Sequence, residues 1–306
     1  MQGVHRRHYQ GSGFDGDFGE VREFLLRINS LQPMASPEFL WARWEWAFCL
    51  PYLDRGHLDR IGLWEAGGEL VGLATHETSL GEAYLAADPR FRSQLLPDMV
   101  QHAAANLHDG ASIGIPVGED EADLAALLAA QGFVETRRSE HMMAISPAEA
   151  PGYVLPEGYS ISSFADGVDV QRFNRCLHRG FNHPEPVPDD AETLRWRALS
   201  AAAPSLIPEL NTIVLAPDGE YAAYCGIFHD PATDYLLVEP VCTTPDHRLR
   251  GCGSAAVLEA LRSAAQLGVR TAYVGSNLGF YHRLGFAPFH QSRWWTAAVA
   301  ESAEAH

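Results

Sequence analysis

The sequence predicts an α/β protein of mixed α+β character, made of two halves built alike. Two observations predict it. Strand-like and helix-like stretches alternate along the chain instead of segregating. One ordered set of signals also occurs twice: Gly-Glu, then Pro-x-x-Arg, then a helix-period segment, then Gly-Phe. Gly-Phe alone is common by chance, but the ordered set is not. A chain of 306 residues is long enough for two separate cores.

In the first half, Ile61 to Ala66 reads as a strand, Gly67-Gly68 as a tight turn and Glu69 to Glu77 as the partner strand. A short third strand, Glu82 to Ala87, ends at Asp88-Pro89-Arg90-Phe91-Arg92. From about Gln94 to Leu107 the period is helical, with Leu95, Met99 and Ala103 on one face. An apolar run (Ser112 to Ile115), an Ala/Leu-rich helix (Glu121 to Ala130) and Gln131-Gly132-Phe133 complete the set.

The second half repeats the order. Thr212 to Ala216 and Tyr221 to Phe228 are strands about an Asp218-Gly219 turn, and Tyr235 to Thr243 is the third strand. It ends at Pro245-Asp246-His247-Arg248. A helix follows from about Gly253 to Leu267, with Val257, Leu261 and Ala264 on one face and Gly268 closing it. Val269 to Val274 is a strand, and a short helix carries Phe280 to Leu284 ahead of Gly285-Phe286. Pro147, Pro151, Pro156 and Gly158 crowd the stretch between the halves as a linker would, which places domains at 1–150 and 151–306. The aromatic run Phe39 to Phe48 reads as a buried helix or an interdomain face.

Composition narrows the class. Hydrophobic residues at 46% and charged residues at 20% describe an ordinary folded protein. No run of 18 apolar residues predicts a membrane span, and Met1 to Arg7 leads into polar, Gly-rich sequence rather than a secretory signal. Cys49, Cys176, Cys225, Cys242 and Cys252 form no CxxC pair, which reads as reduced thiols in a cytoplasmic protein. The histidines show no HExxH spacing, so no metal is expected. A formal charge of -17 disfavours nucleic acid and anionic membrane as partners, and favours cationic small molecules. Monomer and homodimer both stay open.

The segment Arg248-Leu249-Arg250-Gly251-Cys252-Gly253-Ser254 joins a strand to a helix. Its glycines let backbone approach a ligand, and the first amides of the helix favour an anion. Gly251-x-Gly253-x-x-Ala256 also fits a dinucleotide fingerprint. That fingerprint needs its glycines directly after the strand and an acid about 20 residues on, and Thr271 to Leu278 contains none.

The alternative pattern, R/Q-x-x-G-x-G/A after a strand ending in x-P-x-x-R, resembles the pyrophosphate motif of the GCN5-related N-acetyltransferases, the GNAT superfamily. The resemblance covers about Gly158 to Trp295. The first half is similar to a degenerate second copy. There Arg92 aligns with Arg248, while Leu95 and Pro97 stand where Gly251 and Gly253 should be, and proline has no amide to donate.

The resemblance implies two tandem acetyltransferase-fold domains, each a splayed mixed β-sheet flanked by helices. The second would be catalytic and use acetyl-CoA as co-substrate; the first would wall one side of the substrate cleft. The pantetheine arm would lie along Val241, Cys242 and Thr243, and the amides of Arg248, Leu249, Arg250, Gly251, Cys252, Gly253 and Ser254 would hold the pyrophosphate. Asn277 matches a residue contacting the cofactor arm, in a segment shorter than is common. Pro240 supports an edge or bulge independently, since it cannot donate a ladder bond.

Transfer to an amine needs one proton removed and one returned. Glu239 is the general-base candidate, with a solvated or salt-bridged strand carboxylate as the other reading. Tyr281, four residues before Gly285, is the general-acid candidate, or else an aromatic packed on its helix. Acceptor recognition is expected from Arg179 to His183 and from Asp189, Asp190 and Glu192. Trp196, Trp294 and Trp295 line a pocket or fill core. The expected activity is direct acetyl transfer from acetyl-CoA to a primary amine of a small molecule. The alternative is a non-catalytic acyl-CoA-binding sensor or scaffold.

Overall fold

The structure, a computed structural model, describes residues 3 to 299. Met1 and Gln2, at the head of the segment read for a leader, and the chain from Ala300 lie outside the described residues. Two compact units form: 3–141 together with 290–299, and 142–289. This differs from the expected division at 150/151. The cut falls between His141 and Met142, and the last strand groups with the first unit. The proline-rich stretch is no free linker, because Ala150, Tyr153 and Leu155 pack on the second core and the Tyr153 hydroxyl donates to Glu259 at 2.8 Å.

In the first unit, β1 (Val4–His8), β2 (Gly62–Ala66), β3 (Glu69–Thr75) and β4 (Tyr84–Ala87) form an antiparallel sheet in that order. Gly67 and Gly68, with φ of 63° and 85°, make the tight turn between β2 and β3. Helices α1 (Phe18–Asn29) and α2 (Trp41–Phe48) pack together, with Phe18 stacked on Trp44 at 5.9 Å. Trp41 and Trp44 are fully buried, so the aromatic run is core of this unit.

After β4 come α3 (Arg92–Asn106), β5 (Ser112–Gly118), α4 (Ala122–Ala130) and β6 (Val134–Ile145). Leu95, Met99 and Ala103 of α3 are buried as the helical period predicts. Just before β4 the chain touches β5 through the parallel bridge Glu82↔Gly114. The residues of the final strand from His290 onward run antiparallel to β5, from Ser292↔Gly118 to Ala298↔Ser112. Trp294 thereby packs in the first unit's interior, edge-on to Tyr84.

The second unit contains β7 (Ser160–Ser163), α5 (Val170–Gly180), α6 (Ala191–Ser200), β8 (Thr212–Leu215), β9 (Tyr221–His229), β10 (Tyr235–Thr243), α7 (Cys252–Gln266), β11 (Thr271–Val274) and α8 (Gly279–Arg283). It closes with the start of β12 (Ala287–Ala298). Its sheet runs from the end of β6 through β11, β10, β9 and β8 to β7. Only β10 and β11 pair in parallel, and only over Tyr235–Leu237 with Thr271–Tyr273. Beyond Leu237 the two strands part. α7 buries a small-residue face, Ala255, Ala256, Val257, Ala260, Leu261 and Ala264, on this sheet. It stops at Gly268, whose φ of 82° is a left-handed helix end.

Candidate functional site

The site in the second unit starts where β10 ends. Leu249 (φ 59°) and Gly251 (φ 86°) are both left-handed, and α7 begins only at Cys252. For a leucine this conformation costs on the order of 1 kcal/mol, and the Leu249 side chain is fully exposed. Left-handed residues set into such a turn bring successive amides to one concave side. Among the described residues, the amides of Leu249, Arg250 and Gly251 donate to no protein acceptor. The first bond of the helix, Ala255 N to Gly251 O at 2.9 Å, lies beyond the amides of Cys252, Gly253 and Ser254. The helix dipole adds positive potential at the same place.

Three glycines set the distances around this turn. A Cβ on Gly253 would sit 2.6 Å from Thr243 Oγ1, so glycine lets α7 start directly against β10. A Cβ on Gly180 would sit 2.7 Å from Cys242 Cβ, which presses the end of α5 onto the same strand. A Cβ on Gly226 would meet Glu239 O at 2.4 Å. That last glycine makes room for a bulge in β10, where the pairing with β9 shifts register between Val238 and Val241 around Glu239 and Pro240.

Past Leu237, then, the side of β10 that faced β11 carries no strand, and Glu239 to Thr243 line it. Val241 and Thr243 are half-buried there, and Cys242 is buried with its Sγ 3.7 Å from Cys176 Sγ. Tyr281 reaches the same place from α8 and is buried. Burial pushes its phenol well above the ordinary range, and the charge of Glu239 and the Cys225 thiol push further in that direction. Glu239 and Tyr281, far apart in sequence, therefore share one electrostatic environment. The thiols of Cys225 and Cys252 are raised by burial, as is that of Cys176, where the hydrogen bond with Cys242 is the larger cause. None has the character of an activated nucleophile.

The charged residues divide in use. Arg248 donates Nε to Thr243 O at 3.1 Å and Nη2 to Gly180 O at 3.0 Å and to Asn182 Oδ1 at 2.8 Å. Its own amide donates to Pro245 O at 3.3 Å. Arg250 is exposed, and among the described residues its guanidinium makes no hydrogen bond or ion pair. Arg179 pairs with Asp246 at 2.6 Å. Asp190 caps α6, accepting from the amides of Glu192 and Thr193, so its charge is already engaged. Asn277 is exposed in the loop before α8, its Oδ1 2.9 Å from His282 Nε2. Gly226 is the site residue that sequence reasoning passed over. A glycine inside an otherwise apolar strand was the available signal for a close backbone approach.

The matching turn of the first unit is built differently. There α3 begins at Arg92 itself, with no left-handed residue before it. Buried Asp88 sits at the helix start and accepts from the amide of Arg90 and the side chains of Arg90 and Arg27. Burial alone would raise its carboxyl, but these bonds hold it down at about 2. Arg92 is held by Glu121 at 2.6 Å and Asp123 at 3.2 Å. Glu121 in turn accepts from the Gly118 amide at 2.8 Å, and nearby Glu38 is bound by His290 at 3.1 Å.

One unit thus offers a run of unbonded amides beside a parted strand pair. The model of the Acetyltransferase (GNAT) family matches residues 171–286. The chain carries a GNAT domain. It is an acyltransferase of the N-acetyltransferase type, and acetyl transfer is the general activity of that family.

No curated protein matches the sequence. Among solved structures, a GCN5-related N-acetyltransferase from Sphaerobacter thermophilus superposes with a TM-score of 0.60 at 19% identity, covering 99% of this chain and 98% of that one. A tandem GNAT protein from the clavulanic acid biosynthesis pathway gives 0.64 at 16% identity, covering 98% and 100%. A GCN5-related N-acetyltransferase from Kribbella flavida gives 0.52 at 18% identity over 76% and 88%. At such identities the likeness concerns fold. Because the first two span the full length of this chain, both units have the GNAT fold, in tandem.

Proposed function

We propose that the second unit transfers an acetyl group directly from acetyl-CoA to a primary amine of a small molecule. The observation that carries this reading is the run of unbonded amides from Leu249 to Ser254 beside the open side of β10. Such a donor set suits a pyrophosphate: the turn and helix dipoles and the nearby guanidinium charges favour an anion, and glycine at 251 and 253 keeps side chains out of the cradle. Val241, Cys242 and Thr243 pair with β9 on one side, and their backbone groups on the opposite, strandless side are the ones proposed to bond the pantetheine arm. Asn277, with its carbonyl oxygen on His282, has its amide nitrogen available to the same arm. Arg248 stands at the rim of the cradle.

Acetyl-CoA supplies an acyl group on a thiolate leaving group. The work of the chain is then to position the donor and move two protons. Glu239, on the strand beside the arm, takes the proton of the attacking ammonium. Tyr281 enters as a phenol, because burial and the Glu239 charge keep it protonated; it gives its proton to the departing sulfur, and a further proton lost by the nitrogen as the amide forms restores the phenol. Once Glu239 is neutral its repulsion of a phenolate disappears, so taking up the first proton makes Tyr281 a stronger acid for the second. A backbone amide of β10 facing the acyl carbonyl would stabilise its developing charge.

The first unit is assigned no cofactor, since its own carboxylates fill the corresponding turn. The net charge of -17 favours a cationic acceptor in a cytoplasmic setting. The test is release of free CoA thiol from acetyl-CoA across a panel of primary amines. Release with at least one amine is expected. Tight acetyl-CoA binding with no release from any amine would instead favour the non-catalytic sensor.

A further inference from the structure

The two arginines flanking the cradle have different surroundings, and the difference has a functional consequence. Arg250 is exposed, with its guanidinium unengaged among the described residues. Arg248 commits three N–H groups to neutral oxygens on two separate pieces of chain: the last residue of β10, and the end of α5, at its last residue and at Asn182 just beyond it. Gly180 O belongs to the unsatisfied carbonyl end of α5, where a fixed positive charge is favourable. Asn182 is left-handed, with φ 59°, which brings its side chain back toward the end of the helix. The contact below is equally tight, since Gly180 has no room for a Cβ against Cys242 and the sulfurs of Cys176 and Cys242 touch.

We infer that Arg248 is a positioning residue that ties α5 to the cofactor turn, so that occupation of the turn orders the helix end, while Arg250 is the side chain that meets phosphate. This rests on the cofactor reading above and adds to it a physical link between donor binding and the segment 179–183 expected to recognise the acceptor. The two readings fail differently.

The experiment combines acetyl-CoA calorimetry with hydrogen exchange on the full chain, comparing wild type with Arg248→Gln, Arg250→Gln and Asn182→Ala. In wild type, acetyl-CoA is expected to slow exchange in residues 249–255 and also in 177–183. Arg250→Gln weakens affinity about tenfold and keeps both effects. Arg248→Gln changes affinity less than about threefold and loses the effect in 177–183 alone. Asn182→Ala, which removes one acceptor without touching the cradle, weakens that effect partially. Persistence of ligand-linked slowing at 177–183 in Arg248→Gln would overturn the inference, as would a loss of affinity equal to that of Arg250→Gln. If wild type binds no acetyl-CoA, the cofactor reading fails. The tie is then judged from exchange at 177–183 without ligand, which rises in Arg248→Gln if the tie exists and stays unchanged if it does not.

Discussion

The helix that follows β4 in the first unit and the one that follows β10 in the second begin in opposite ways. In the second unit, left-handed residues at 249 and 251 delay the helix to Cys252 and leave a run of amides without acceptors. In the first, the helix starts at Arg92, Asp88 supplies a built-in anion in the turn before it, and Glu121 and Asp123 bind the arginine. One fold thus carries an anion site that is open to a ligand and another satisfied from within. The lesson is that a phosphate cradle can be lost through gained carboxylates as much as through lost glycines. Here Asp88 takes the amide of Arg90, and Glu121 and Asp123 take the guanidinium of Arg92, groups an anionic ligand would otherwise meet.

Breaking the open turn has the largest expected effect. Gly253→Pro removes a donor amide and drives ring atoms toward Thr243, so acetyl-CoA affinity should fall at least about 100-fold by calorimetry. A proline at the second residue of the first unit's helix, Ser93→Pro in α3, should leave affinity within about twofold and the stoichiometry at one per chain. A stoichiometry of two would dissolve the contrast between the units. Tyr281→Phe comes next, with turnover reduced about 100-fold while the acetyl-CoA dissociation constant stays within about threefold. Glu239→Gln should lower turnover about tenfold and flatten the acid limb of the pH–rate profile. An unchanged limb would remove Glu239 from proton transfer.

The smallest effect sharpens the closed side of the comparison. Burial first, and then the charge of Glu38, push Glu121 up to about 7, against the opposing pull of Arg92 and the Gly118 amide. Its folded pKa lies above its unfolded value of 4.5, so the folded chain keeps a proton that the unfolded chain releases. The resulting stability is complete below that unfolded value and is lost as pH rises toward 7. Burial pulls His290 down, but the hydrogen bond and charge of Glu38, with the charges of Asp120 and Glu121, together raise it, which adds a loss in the same direction as pH rises. Thermal unfolding should therefore show a lower midpoint at pH 8 than at pH 5.5. Glu121→Gln should cut that difference by on the order of 2 kcal/mol of stability. An equal pH dependence in the variant would show that the cluster holds no extra proton.

Much of the fold was legible because it is local. The Gly67-Gly68 hairpin, the buried stripe of Leu95, Met99 and Ala103, and the stop at Gly268 follow from backbone conformation and period. The long strands β6 and β12 were not legible. Val134 to Glu140 is polar on both faces, so no alternation marks it, and what makes it a strand is its pairing partner. The site was legible as a turn and as single residues, but not as a set. Nothing in the local sequence says that Asp190 is used up as a helix cap, or that Arg248 turns toward α5 rather than outward.

By itself, then, the sequence determined that two similar halves exist, that one of them carries glycines where backbone must come close, and that Pro240 interrupts a strand. These are constraints of φ, of missing amides and of periodicity, and they act within a few residues. Only the tertiary structure decided which amides stay unbonded and that β10 and β11 part after Leu237. It also brought Tyr281 into the field of Glu239 and closed the first unit's turn with Asp88, Glu121 and Asp123. Those outcomes depend on which groups from distant parts of the chain meet, and burial then sets their strength by removing water.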